Sequence, residues 1–164
     1  GITVRGKGSF MCYYMRYLLT TDAKLTLDEL ETALKQVDTK YQIRRDPILP
    51  LFGTLLLGKY ICGELEINFP GDEDGIFEED IEEMRDLITE SGQDSETKVR
   101  DVLDKTTCII ALNAVWQGND PDVTLDKVEP LWSWLFDHHL GLLQADSEGF
   151  FERDTLIFET NLKI

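Results

Sequence analysis

The residues of this chain that can do chemistry fall into four groups: an acidic turn and helix between Gly71 and Asp86, the adjacent basic pair Arg44 and Arg45, the Asp137-His138-His139 triplet shortly after Trp132 and Trp134, and the cysteines Cys12, Cys62 and Cys108. The turn Gly71-Asp72-Glu73-Asp74-Gly75, followed by Glu78 and Glu79, gathers the oxygen ligands that hard cations such as Ca²⁺ or Mg²⁺ take. Its spacing is not that of an EF-hand loop, since the alternating ligands before the glycine are incomplete and no glutamate stands at the twelfth place. Acids at a helix start are favoured by the partial positive charge there. A solvated turn accounts for the same residues, and no metal site is expected.

The triplet holds the only two histidines of the chain. It resembles the Asp-His-His triplet of a family of phosphoesterases over those three residues, without the other aspartate motifs of that family. The triplet falls on a helix end, where adjacent residues point about 100° apart, so two neighbouring imidazoles do not converge on one metal. A cationic side chain in a last helical turn is expected for dipole reasons. No glycine-flanked serine or cysteine marks a nucleophile elbow, and no Walker loop or dinucleotide fingerprint is present. No catalytic residue and no cofactor are expected. The alternative to a purely docking role is a small-molecule binder or enzyme with a pocket near the His138/His139 helix end, using Arg44, Arg45, Trp132, His138 and His139.

Charge offers a different function. The 164 residues carry 16 Lys and Arg against 32 Asp and Glu, a formal net charge of −16. Residues 1–63 hold nine basic and six acidic side chains, net +3, whereas residues 64–164 hold seven and 26, net −19. Such a field repels phosphates and speeds encounter with a basic surface. The expected function is therefore that of a non-enzymatic acidic interaction protein, like an antitoxin, an immunity protein or a nucleic-acid mimic, docking a basic protein through Glu78, Glu79, Glu82, Glu83 and Asp86. Direct nucleic-acid binding is not expected. Neither is a membrane span, because the longest apolar run, Ile48 to Gly58, is short and broken. Self-association through aromatic strands is a third option. Three widely spaced cysteines in apolar runs read as free thiols, which places the protein in the cytoplasm.

These residues need a scaffold, and its centre is Gly63 to Ile88. Leu65, Ile67 and Phe69 alternate with Glu64, Glu66 and Asn68, the period of a half-buried strand. After Pro70 and Gly71, apolar Phe77, Ile81, Met84 and Ile88 recur at helical spacing, with Glu78, Glu79, Asp80, Glu82, Glu83 and Asp86 facing water. Like charges four apart cost roughly 0.2–0.5 kcal/mol a pair, while each buried large side chain returns roughly 1.5–3 kcal/mol. Packing decides, and the acidic face is tolerated.

The remaining elements follow from the same signals. Phe10–Thr21 and Thr106–Trp116 are mostly apolar and read as central strands. Thr26 and Glu29 form a capping box for a helix reaching about Asp38. Tyr41–Arg45, Ile48–Leu57 and Tyr60–Phe69 read as strands, the last two joined by a turn at Gly58-Lys59. Val99, Val102 and Leu103 mark a helix to about Lys105. Another runs from a Thr124 cap through Leu140, with Pro130 kinking it or starting a new one. Leu142–Asp146, Gly149–Glu152 and Thr155–Glu159 complete the set as short strands. Residues 1–9 read as a disordered leader or expression remnant, and residues 10–164 as a single α+β domain. The expected architecture is a two-layer sandwich of about four helices on a mixed or mainly antiparallel sheet.

Overall fold

The structure, a computed structural model, describes residues 12–160. The expected leader over residues 1–9 lies outside them. Eight strands, β1 (Tyr13–Leu19), β2 (Tyr41–Arg45), β3 (Phe52–Leu57), β4 (Tyr60–Asn68), β5 (Cys108–Ala114), β6 (Gly141–Ala145), β7 (Gly149–Glu152) and β8 (Thr155–Glu159), form one sheet in the order β2-β3-β4-β5-β1-β6-β7-β8. Every pairing is antiparallel. Four helices accompany it: α1 (Leu27–Val37), α2 (Ile76–Ile88), α3 (Glu96–Lys105) and α4 (Pro121–His138). The described residues thus form an α+β fold with an antiparallel sheet and four helices, as the hairpins and periodicities of the sequence predict.

The helices divide between the two faces of the sheet, one layer more than the two-layer sandwich expected. Met15, Tyr17 and Leu19 of β1 join Ile110 and Leu112 of β5, α1 and α4 in one core. Leu18, one residue out of phase, joins Ile109 and Ala111 with Phe77, Ile81, Met84 and Ile88 of α2 and Val99 and Leu103 of α3 in a second core. Strand side chains alternate between faces, so a central strand apolar on both must be covered twice. That explains why β1 and β5, each flanked by strands on both sides, carry near-continuous apolar runs. It also removes the motive for self-association, because the aromatic residues of β1 are used inside the fold.

Local chemistry sets the element ends. Thr26 caps α1, its Oγ1 accepting from Glu29 N–H at 3.1 Å while Glu29 Oε1 accepts from Thr26 N–H at 3.1 Å. The cap of α4 is Asp120, four residues before the Thr124 expected: its Oδ1 accepts from Asp122 N–H at 2.9 Å, and Pro121 takes the first helical position, where its missing N–H costs nothing. Pro130 lies inside the same continuous helix. β3 starts only at Phe52, because Asp46 Oδ2 accepts from the N–H groups of Ile48 and Leu49 at 2.9 and 2.8 Å and folds that stretch into a turn. Gly63 is required where β4 meets β5, since a Cβ there would stand 2.3 Å from the Asn113 carbonyl oxygen.

Both sheet edges are occupied by side chains. On β2, Ile43 N–H donates to Glu31 Oε2 of α1 at 2.7 Å. On β8, the Gln93 amide donates to the Glu159 carbonyl and accepts from the Glu159 N–H, both at 2.9 Å, and Ser95 Oγ donates to the Ile157 carbonyl. Groups that would otherwise recruit a further strand are satisfied within the chain.

Candidate functional site

The five carboxylates of α2 stand where the helical period puts them. Glu78, Glu79, Glu82 and Asp86 are exposed and Glu83 is half-buried, opposite the apolar stripe that packs on the sheet. Among the described residues, none of them is ion-paired with Lys or Arg. Glu78 Oε2 accepts from Gly71 N–H at 2.8 Å, which ties the turn to the helix start. Burial, with the charges of Asp80 and Glu79 adding to it and that of Arg16 opposing, holds the Glu83 carboxyl above the ordinary range. Leu87, 42% exposed, adds an apolar side chain next to Asp86 and four residues on from Glu83. The acids of the preceding turn are used locally: Asp72 Oδ2 accepts from Phe69 N–H and Asp74 Oδ1 from Ile76 N–H. No cluster of three potential metal ligands occurs among the described residues.

Asp80 does not face water with its neighbours. It is 1% exposed, and its Oδ2 lies 3.2 Å from Nε of Arg16, which is fully buried on β1. Arg16 Nη1 donates to Gln144 Oε1 at 3.0 Å and lies 3.7 Å from Asp146 Oδ1, and the guanidinium carbon sits 4.7 Å from the centre of the Tyr14 ring. Asp146 Oδ2 accepts from Tyr14 N–H at 2.8 Å. Burial pushes the Asp146 carboxyl above its usual range, against the pull of that N–H and of Arg16. The group clamps α2 to the centre of the sheet. Sequence patterning missed it, although one signal was present: Asp80 stands three residues after Phe77 and four before Met84, within the apolar arc, and Arg16 is the single charge of β1.

The proposed ligand-binding residues are not gathered at one place. Arg44 and Arg45 line a groove of about 260 Å³ with Asp46, Phe52, Thr54 and Glu64. There Arg45 is committed to its own chain: it bridges to Asp28 and, at 3.2 Å, to Glu31 of α1. His138 is exposed, stacked on Trp134 at 4.7 Å between ring centres, with Nδ1 2.9 Å from the Trp134 carbonyl oxygen. His139 Nδ1 lies 3.2 Å from Thr21 Oγ1; burial first, and the neighbouring His138 second, lower its pKa below the ordinary imidazole value.

Trp132 alone of that set lines the larger cleft, about 350 Å³, between α4 and the β1-β6-β7 part of the sheet. Met15, Leu143, Ala145 and Phe151 contribute from the sheet, and Leu125, Trp132 and Phe136 from α4. Tyr13, Glu129, Ser133, Glu148, Arg153 and Asp154 are the polar lining. Trp132 is 4% exposed, and its indole Nε1–H, itself buried, has no acceptor.

Cys62 and Cys108 are buried free thiols, raised by burial to about 11 and about 12, and Cys12 is a half-buried one. No helix among the described residues is long and apolar enough to cross a membrane. Compared with known proteins, the chain matches no family model, no curated protein and no solved structure at a significant level.

Proposed function

We propose that this protein is a non-enzymatic cytoplasmic docking protein whose α2 surface receives a basic protein partner. The observation that carries the reading is the outward row Glu78, Glu79, Glu82, Glu83 and Asp86, none of them ion-paired with Lys or Arg among the described residues, with the exposed Leu87 beside it. Like charges on one helix face raise the free energy of the isolated protein and lower that of a complex that neutralises them, so the row favours association. Leu87 supplies the apolar contact that charge alone lacks. The field of a chain at net −16 brings a basic surface in faster, and salt weakens that steering.

The test uses a fluorescent Lys- and Arg-rich amphipathic peptide as the probe, followed by anisotropy at about 20 mM and about 200 mM salt. The double variant Glu79→Lys, Glu83→Lys is compared with Asp122→Lys, Asp126→Lys, two exposed positions on α4, which changes net charge equally. Loss of binding by about tenfold or more in the first variant only supports the reading. Equal loss in both, or none in either, overturns it.

A further inference from the structure

The cleft beneath α4 lies on the opposite side of the sheet from α2. We propose that it binds a small amphipathic organic cation: an aromatic or branched apolar body with one oxygen acceptor and a terminal ammonium. This rests on the cleft alone and is independent of the docking reading.

Three features define the ligand. The floor and inner wall, Met15, Leu143, Ala145, Phe151 and Phe136, are apolar, and the volume of about 350 Å³ sits at the small end of ligand cavities. An apolar body of one ring matches that space. The indole N–H of Trp132 is removed from water and has no acceptor, a costly state for a buried donor. A ligand oxygen accepts from it only where the side chains that cover it give way, and then recovers that cost.

The mouth decides the sign of the charge. Glu129, Glu148 and Asp154 line it, and none of them is ion-paired among the described residues. Arg153, the one cation there, is already spent: its Nη2 donates to Asp137 Oδ1 at 2.5 Å, and its guanidinium lies 5.7 Å from the centre of the Phe136 ring. The Tyr13 phenol reports the same potential. Burial raises its pKa most, and the Glu148 and Asp146 carboxylates raise it further. An ammonium at the mouth meets net negative charge, and a carboxylate is repelled.

Three probes of one size and different charge separate this from general stickiness: tyramine (cationic), tyrosol (neutral) and 4-hydroxyphenylacetate (anionic). Each is titrated into the full chain while the indole N–H resonances are followed by ¹⁵N NMR, with Trp132 assigned by its disappearance in Trp132→Phe. A saturable shift of the Trp132 resonance by tyramine is expected, with tyrosol at least about fivefold weaker and 4-hydroxyphenylacetate weaker still. Glu129→Gln, Glu148→Gln brings tyramine toward tyrosol. Trp132→Phe, which keeps an aromatic ring in place of the indole and removes the donor, weakens tyramine by about fivefold, read by equilibrium dialysis. Should that variant misfold, Ser133→Trp, which fills the mouth from the half-buried outer side of α4, abolishes binding while the thermal melt stays cooperative. Absence of any saturable Trp132 shift to about 10 mM tyramine, equal binding by the three probes, or undiminished binding by a folded Ser133→Trp each overturns the proposal.

Discussion

Strand β1 turns Arg16 toward α2 on one face of the sheet and Tyr13, Met15 and Tyr17 toward α1 and α4 on the other, so neighbouring residues feed two different interiors. On the α2 face a full guanidinium is enclosed by Asp80, Gln144, Asp146 and the Tyr14 ring, and the helix lies close against the sheet. On the α4 face no charge is enclosed among the described residues, and a cleft is left beneath the helix where the sheet continues into β6 and β7. Two helices per face do not cover eight strands. The α2 face fixes its helix with a buried ion pair and turns its surplus carboxylates outward; the α4 face leaves an apolar recess with an unpaired indole donor. The comparison teaches that rigidity and binding capacity are assigned to opposite faces of one strand.

The largest effect expected from breaking this difference is on the enclosed pair. Asp80→Asn leaves the Arg16 charge without its nearest carboxylate, and removing one partner of a buried pair costs about 3–5 kcal/mol. Arg16→Met takes the guanidinium away from the Asp146 carboxylate instead. Burial then raises the Asp146 carboxyl pKa further above the unfolded value, so the folded state binds a proton that the unfolded state does not, and stability falls as pH rises through that window. Urea melts at pH 5 and pH 8 check the sign: Arg16→Met loses more at the higher pH. The double variant Arg16→Met, Asp80→Leu recovers much of the loss, since two apolar groups replace two desolvated charges. If Asp80→Asn leaves the midpoint unchanged, the clamp is not what holds α2.

A second, smaller effect sharpens the contrast in packing. Met84, 1% exposed on the α2 face, and Leu125, half-buried at the cleft on the α4 face, are both truncated to Ala. Met84→Ala opens an enclosed cavity that water does not enter, for about 2–5 kcal/mol. Leu125→Ala widens a cleft already open to water, so mainly the transfer of partly covered apolar area is lost, about 1 kcal/mol. Equal losses in the two melts would mean that the cleft is closed in solution.

How far this was legible in the sequence differs for the two faces. Alternation and helical period place β4 and α2 as found, because Leu65, Ile67, Phe77, Ile81, Met84 and Ile88 are all buried where those periods put them. The same reasoning treats every acid on α2 as solvated, and Asp80 escapes it, since pattern counts hydrophobicity and has no term for a counter-charge waiting on another element. Proline and aspartate at 120–121 marked the true start of α4, but Thr124 was the more familiar cap and instead turns inward, its Oγ1 donating to the Val115 carbonyl at 2.6 Å. The cleft was not legible at all. It depends on where α4 lies across the strands, a tertiary fact that brings Tyr13, Glu129, Glu148 and Asp154 together from four separate parts of the chain. Trp132 was singled out, yet His138 and His139, grouped with it by sequence proximity, do not line that recess.

The smallest effect lies at the junction between the faces, where α4 ends and β6 begins. His139 caps the helix, its N–H donating to the Leu135 carbonyl at 2.8 Å while its own carbonyl accepts from the buried Tyr17 hydroxyl at 2.5 Å, so the end of α4 is pinned to the floor of its own face. Its imidazole is held below the ordinary value of 6.5 by burial first and by His138 second. In the unfolded chain the ring takes up a proton as pH falls through that ordinary value; in the folded chain it does so only at lower pH. The unfolded state therefore binds more protons in this window, and stability present at pH 7 is lost as pH falls below about 6.5. His139→Asn removes this slope, and His138→Asn, by taking away the second cause, moves the His139 midpoint upward in a ¹H NMR titration of the ring protons. The shift in melting temperature is small because the ring is only partly buried, which separates this contact from the Arg16 clamp: the clamp's pH dependence in Arg16→Met runs in the opposite direction, losing stability toward alkali. A wild-type His139 midpoint at or above 6.5 would remove the burial argument for this end of the helix.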